Sequence, residues 1–126
     1  MHRILVVDNN KTYADAAASL LRLLGHDVQQ AYDGLAALQV AQAFKPTAAF
    51  LDLVMPDMDG VELAAALRAL DCMTGAKIFA LTAFNHKASS AAVRAAGFDA
   101  IVAKPAHAED LARALASQPP LTGSDK

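Results

Sequence analysis

Two carboxylates stand where carboxylates are costly. Asp8 ends the apolar stretch ILVV at residues 4–7, and Asp52 interrupts AAFLDL at residues 48–53. An acid among so many apolar neighbours is strongly disfavoured unless something compensates its charge. Two further apolar stretches, KIFAL at 77–81 and AIVA at 100–103, are closed by Thr82 and Lys104. Neighbouring carboxylates repel, and a hard divalent cation such as Mg2+ relieves that repulsion through oxygen ligands while keeping several waters. A Lys ammonium draws in a polyanion, and a Thr hydroxyl donates a hydrogen bond to one of its oxygens. Brought into one crevice, a carboxylate nucleophile, a metal, a hydroxyl and an ammonium together describe phosphoryl transfer through an aspartyl phosphate. Taken singly they have ordinary readings. Asp8-Asn9-Asn10 suits a strand-to-helix turn with an N-cap, Asp57 and Asp59 suit a loop and a cap, Thr82 suits a strand end, and Lys104 suits solvent.

What must position these residues is a series of alternating strands and helices. The stretches at 3–7, 48–53, 77–81 and 100–103 have strand length and are nearly continuous in Ile, Val, Leu, Phe and Ala, as strands buried on both faces of a parallel sheet are. A more polar stretch, DVQQAY at 27–32, alternates like an edge strand. Tyr13, Ala17, Leu20, Leu21 and Leu24 recur at helical spacing before Gly25, which sits where a helix-ending glycine belongs. Leu35, Leu38 and Ala41 mark a second helix, ended by Lys45-Pro46. Leu63, Leu67 and Leu70 mark a third after Gly60, residues 88–96 a fourth with an apolar face almost wholly of Ala, and Leu111 and Leu115 a fifth. Strand followed by helix five times over predicts an α/β fold. The expectation is a doubly wound, flavodoxin-like, five-stranded parallel sheet with right-handed crossovers, taken with strand order 2-1-3-4-5. In that order the first and third strands are neighbours, so Asp8 and Asp52 would share a crevice at the carboxyl ends of the strands, where ligands bind in such sheets. Thr82 and Lys104 would approach it from the other side.

At 126 residues the chain suits one domain, expected over residues 1–116, with 117–126 (SQPPLTGSDK) as a polar tail or linker stub. Lys and Arg number 11 against 13 Asp and Glu, a net charge of −2, which gives no basic footprint for nucleic acid. A composition 55% hydrophobic and 19% charged supports a packed core rather than disorder. The single cysteine, Cys72, excludes an internal disulfide and a multi-cysteine metal site and reads as an idle thiol. No apolar stretch approaches the roughly 18–20 residues of a membrane helix, and no cleavable leader is visible. The expectation is a cytoplasmic protein with no membrane partner. His2, His26, His86 and His107 lack metal-ligand spacing and read as surface or capping residues.

Four pieces of the sequence carry a resemblance: ILVVD at residues 4–8, LDLVMPDMDG at 51–60, LTA at 81–83 and AKP at 103–105. Each is a weak pattern alone. Together, in order and each at the end of an expected strand, they resemble the receiver domain of bacterial response regulators over about residues 3–115. The resemblance implies that Asp52 accepts a phosphoryl group from a phosphohistidine on a sensor histidine kinase or a histidine phosphotransfer protein. It implies that Asp8, Asn9, Asp52 and the Val54 backbone carbonyl hold Mg2+, and that Thr82, Lys104 and the Ala83 N–H contact the phosphoryl oxygens. Pro105 matches a proline whose preceding peptide is typically cis in the family. The implied protein is not an enzyme acting on other substrates. It has no output domain of its own and signals by changed contacts with a downstream protein, through a face built from the fourth helical segment, the fifth strand and the fifth helical segment.

The sequence departs from the family at three places. Asn9 stands where a second acid is usual, so one formal charge is missing and Mg2+ should bind more weakly. Ile101 and Ala106 replace frequent aromatics, which removes the ring that shifts together with the Thr on phosphorylation. Val54 and Phe84, two residues past Asp52 and Thr82, are apolar and flank the path of an attacking water, so loss of phosphate should be slow. Other readings stay open: a degenerate receiver acting as a phosphorylation-independent adaptor, supported by Asn9, and an aspartyl-nucleophile phosphatase. The latter needs an acid at Val54. A flavin-carrier reading is disfavoured by the acidic, amide-rich turn at residues 8–12.

Overall fold

The apolar stretches pair as their alternation predicts. The structure, a computed structural model, describes residues 2–53, 55, 57–82, 97–103 and 108–116. Strands β1 (Arg3–Val7), β2 (Asp27–Ala31), β3 (Ala48–Asp52), β4 (Lys77–Thr82) and β5 (Ala100–Ala103) alternate with helices α1 (Lys11–Leu23), α2 (Gly34–Phe44) and α3 (Gly60–Arg68) and a C-terminal helix (Ala108–Ala116). A single 3-10 turn, Asp71–Met73, precedes β4. The helical segment expected at 88–96, Cys-free and Ala-rich, and the tail from residue 117 lie outside the described residues. All pairings are parallel, in the order β2-β1-β3-β4-β5.

Because successive strand side chains point to opposite faces, the sheet carries two cores. Leu5, Val7, Leu51 and Ile78 pack with Leu63, Leu67 and Met73 beneath α2 and α3. Ile4, Val6, Phe50, Phe79 and Leu81 pack with Leu21, Leu111 and Leu115 beneath α1 and the C-terminal helix. Phe50 and Phe79 stack with ring centroids 5.0 Å apart. Each large side chain buried in this way stabilises the fold by roughly 1.5–3 kcal/mol.

The helix faces differ from the sequence expectation at two leucines. Leu35 is 62% exposed, and the buried stripe of α2 is Gly34, Ala37 and Ala41. Small residues let α2 lie close to the sheet, and Leu35, about 100° further round the helix, turns outward. Leu24 likewise ends up exposed at the cap of α1, whose buried face is Ala14, Ala17, Ala18 and Leu21.

The starts of α1, α2 and α3 are each capped. Asn10 Oδ1 accepts from the Tyr13 N–H at 3.1 Å, Asp33 Oδ1 from the Ala36 N–H at 2.7 Å, and Asp59 with Glu62 forms a reciprocal capping box. The end of α3 is tied to the turn before β5. Arg68 Nη2 donates to the Gly97 carbonyl at 2.7 Å and to Asp99 Oδ2 at 2.8 Å, and that carboxylate oxygen also accepts from the Ile78 N–H at 2.7 Å.

Candidate functional site

The register of the sheet brings the two acids together. β1 and β3 pair from Ile4↔Ala48 to Val7↔Leu51, so Asp8 and Asp52 are the next residues on adjacent strands, whose backbones run about 4.8 Å apart. Asp8 continues β1, since its N–H donates to the Ala31 carbonyl at 3.2 Å. Ile4 and Val6 share a face with Ala48 and Phe50, and the two acids continue that alternation. Asp52 is level with Leu81, and Thr82 is level with Ala103, the residue before Lys104. Among the described residues, Asp8 at 0% and Asp52 at 6% exposure are the buried charged side chains.

The turn after β1 serves as both site and cap. Asp8 Oδ1 accepts from the Asn10 N–H at 2.9 Å while Asn10 caps α1. Asn9, between them, is exposed. The two readings of Asp8-Asn9-Asn10 are therefore compatible: Asn10 caps the helix, and Asp8 faces the strand ends.

The loop after β3 is held closely. The Leu53 N–H donates to the Leu81 carbonyl at 3.2 Å, and the Gly60 N–H to the Leu53 carbonyl at 3.0 Å. A Cβ at Gly60 would stand 2.5 Å from the Asp52 carbonyl oxygen and 2.7 Å from Leu53 Cα. Only glycine lets α3 begin this close to the strand. Met55 is buried beneath α2 and α3, and the Asp57 carboxylate accepts from the Gly34 N–H.

Of the remaining residues singled out from the sequence, Thr82 is the last residue of β4, and Ile101, 40% exposed, is level with Ala80 in β5. Val54, Ala83, Phe84, Lys104, Pro105 and Ala106 lie outside the described residues. Cys72 is half-buried, its thiol 3.5 Å from the Ala41 carbonyl.

Three features were not legible beforehand. Asp57 caps a helix 23 residues away. His2 and His26, read as separate surface residues, are paired at the opposite edge of the sheet: the His2 N–H donates to His26 Nδ1 at 3.0 Å. Burial, and then the neighbouring His2, push the His26 pKa below its usual value. On the outer side of α1, Tyr32 donates to Asp15 Oδ1 at 2.6 Å and Gln30 to the same oxygen at 3.0 Å. These bonds, Tyr32 first, hold the Asp15 carboxyl below its usual range, and the bond to Asp15 pushes the Tyr32 phenol up.

The donor set at the strand ends suits a hard cation. Two carboxylates and a neighbouring amide, all oxygen donors, match the preference of Mg2+, which fills its remaining positions with water. Among the described residues no group of three or more His, Cys, Asp or Glu gathers at one point.

Comparison with known proteins agrees with this arrangement. Over 111 residues the chain is 35% identical to the response regulator MprA of Mycobacterium ulcerans, a match covering 86% of this chain and 46% of MprA. It thus spans about half the length of that curated relative. The structure superimposes on the chemotaxis protein CheY4 of Vibrio cholerae with a TM-score of 0.87 and 27% identity, covering 93% of this chain and 98% of CheY4. It also matches the receiver domain of the sensor histidine kinase PA1611 of Pseudomonas aeruginosa with a TM-score of 0.82 and 28% identity, covering 92% and 95% of the two chains. The latter structure has a magnesium ion coordinated in its active-site cleft. The family described as response regulator receiver domain matches residues 4–116, from β1 to the end of the C-terminal helix. The chain belongs to that family, the receiver domains of two-component systems.

Proposed function

We propose that Asp52 is the phosphoacceptor of a two-component phosphorelay. One carboxylate oxygen attacks the phosphorus of a phosphohistidine on a sensor histidine kinase or histidine phosphotransfer protein. The O–P bond forms as the N–P bond breaks, and the departing imidazole keeps the electron pair. Asp8, Asn9, Asp52 and the Val54 carbonyl would hold Mg2+, which supplies neutralisation of the charge on the phosphoryl oxygens. Thr82 donates a hydrogen bond to one of these oxygens, the Ala83 N–H to another, and Lys104 supplies the opposing positive charge. The observation that carries this reading is the level placement of Asp8 and Asp52, both buried, at the carboxyl edge of adjacent strands.

The chemistry is confined to the protein's own phosphorylation and dephosphorylation. Residues 1–116 form the receiver and 117–126 a tail or linker stub. The signal passes through changed contacts between a downstream protein and the face that includes β5 and the C-terminal helix, in the cytoplasm and without nucleic acid or membrane as a direct partner. Among the described residues no helix is long and apolar enough to cross a membrane. Apolar Val54 and Phe84 support a long-lived phosphoprotein, so Phe84→Glu or Val54→Asn should shorten its lifetime in a decay assay. No shortening in either variant would overturn that point.

Incubation with acetyl phosphate and Mg2+ followed by intact mass tests the reading. The wild type should gain one phosphoryl group and Asp52→Asn none. The missing charge at exposed Asn9 favours a second reading, a phosphorylation-independent adaptor. A wild type that stays unmodified under phosphodonors of both kinds, small-molecule and phosphohistidine, would select it.

A further inference from the structure

Asp57 belongs to the loop leaving the acceptor strand, yet its carboxylate serves a different element. Its two oxygens lie 3.3 and 3.1 Å from the backbone nitrogen of Gly34, the first residue of α2, and accept from that N–H. The helix already has a local cap, Asp33, which accepts from the Ala36 N–H at 2.7 Å. The next loop residue, Met58, rests on the same spot: a Cβ at Gly34 would stand 2.9 Å from Met58 Sδ and 3.0 Å from Met58 Cβ. Residues 57 and 58 are therefore seated on the bare backbone at the start of α2. The loop is also closed on itself, the Gly60 N–H donating to the Leu53 carbonyl at 3.0 Å. Between these fixed points the chain carries Val54.

We propose that Asp57 and Gly34 are positioning residues for the acceptor site. By seating residues 57 and 58, the start of α2 orders the approach to the acceptor strand, and so sets the affinity for Mg2+ without touching it. The inference rests on the reading of Asp52 as a Mg2+-assisted phosphoacceptor and adds how that site is kept in shape. A loop ordered beforehand spends none of the binding free energy on its own ordering, and an affinity falls by the fraction of molecules not in the competent conformation. The partial positive charge of a helix N-terminus makes it a suitable anchor for a loop carboxylate. Coupling between binding and loop seating is reciprocal, so the cation in turn tightens the Asp57–Gly34 bond.

The test compares three variants of the full chain, each titrated with Mg2+ by calorimetry and by backbone amide shifts, with thermal unfolding alongside. Asp57→Ala should weaken Mg2+ binding roughly tenfold, the lower end of what one charged hydrogen bond contributes. Asp33→Ala removes a cap from the same helix and should lower the unfolding midpoint while leaving Mg2+ affinity unchanged. Gly34→Ala keeps the N–H and improves helix propensity, but its methyl displaces Met58. It should weaken Mg2+ binding with no loss of thermal stability. In the wild type, Mg2+ should slow hydrogen exchange at the Gly34 amide. Equal Mg2+ affinities for Asp57→Ala and wild type, or a Gly34 amide indifferent to Mg2+, would overturn the inference and leave the acceptor reading intact. A wild type that binds no Mg2+ would remove both.

Discussion

Gly60, the first residue of α3, lies against the backbone of Asp52, the proposed acceptor, with room for a hydrogen and not for a methyl group. A Cβ there would stand 2.5 Å from the Asp52 carbonyl oxygen, and backbone on both sides leaves no flexible side chain to yield. Gly60→Ala should therefore cost about 1–3 kcal/mol of stability, the usual range for overpacking, and should slow phosphorylation by moving Asp52. Chemical denaturation and an acetyl phosphate time course check the two halves separately.

Asp8 and Asp52 bring two negative charges into neighbouring buried positions. In cation-free buffer Asp52→Asn relieves that repulsion and should stabilise the fold by on the order of 1 kcal/mol. Added Mg2+ should raise the unfolding midpoint of the wild type, and the variant should lose most of that rise. A variant less stable than wild type without cation would contradict the repulsion argument.

Asn9 offers a neutral oxygen where an acid would add a charge. Asn9→Asp should tighten Mg2+ binding about fivefold. The gain is no larger because residue 9 is exposed and solvent screens its charge to roughly 1 kcal/mol. A titration giving equal dissociation constants for the two proteins would refute this.

The expected strand at 3–7 coincides with β1, because a strand buried on both faces must be almost continuously apolar and therefore stands out. The one at 100–103 coincides with β5, although that strand lies at the sheet edge and leaves Ile101 exposed. The acid pair was legible for the same reason, since a carboxylate within such a stretch is conspicuous. Leu35 was misleading: helical spacing identifies the helix but not which of two adjacent stripes faces the sheet, and close packing selected Gly34, Ala37 and Ala41. Asp57 read as an ordinary loop acid because its partner, the Gly34 N–H, is a backbone group 23 residues away. Backbone donors leave no trace in residue type. The 3-10 turn at Asp71–Met73 is too short to carry a periodic signal. The fourth helical segment, and Lys104 with it, lie outside the described residues.

The His2–His26 pair should make stability depend on pH. Burial, with His2 nearby, lowers the pKa of His26 in the folded chain below the ordinary value of 6.5. The unfolded chain therefore binds more protons in that window. Stability is fully present above about pH 6.5 and is lost as pH falls through the folded value. His26→Asn keeps an oxygen near the position of Nδ1, to accept from the His2 N–H, and does not titrate. Unfolding midpoints measured from neutral to mildly acidic pH should fall less steeply for this variant, and parallel curves would refute the assignment.

The constant offset between β1 and β3, in which Ile4 pairs with Ala48 and Val7 with Leu51, makes the register of these two strands, and not the chain length between positions 8 and 52, the quantity on which the proposed site depends. Extra residues accommodated at the turns around Gly25 or Lys45 leave that offset between the strands untouched. A single residue inserted within β3 before position 52 would instead invert the side on which the Asp52 carboxylate emerges. A change of chain length in this half of the molecule is therefore compatible with the proposed site at the turns and incompatible with it inside the strands.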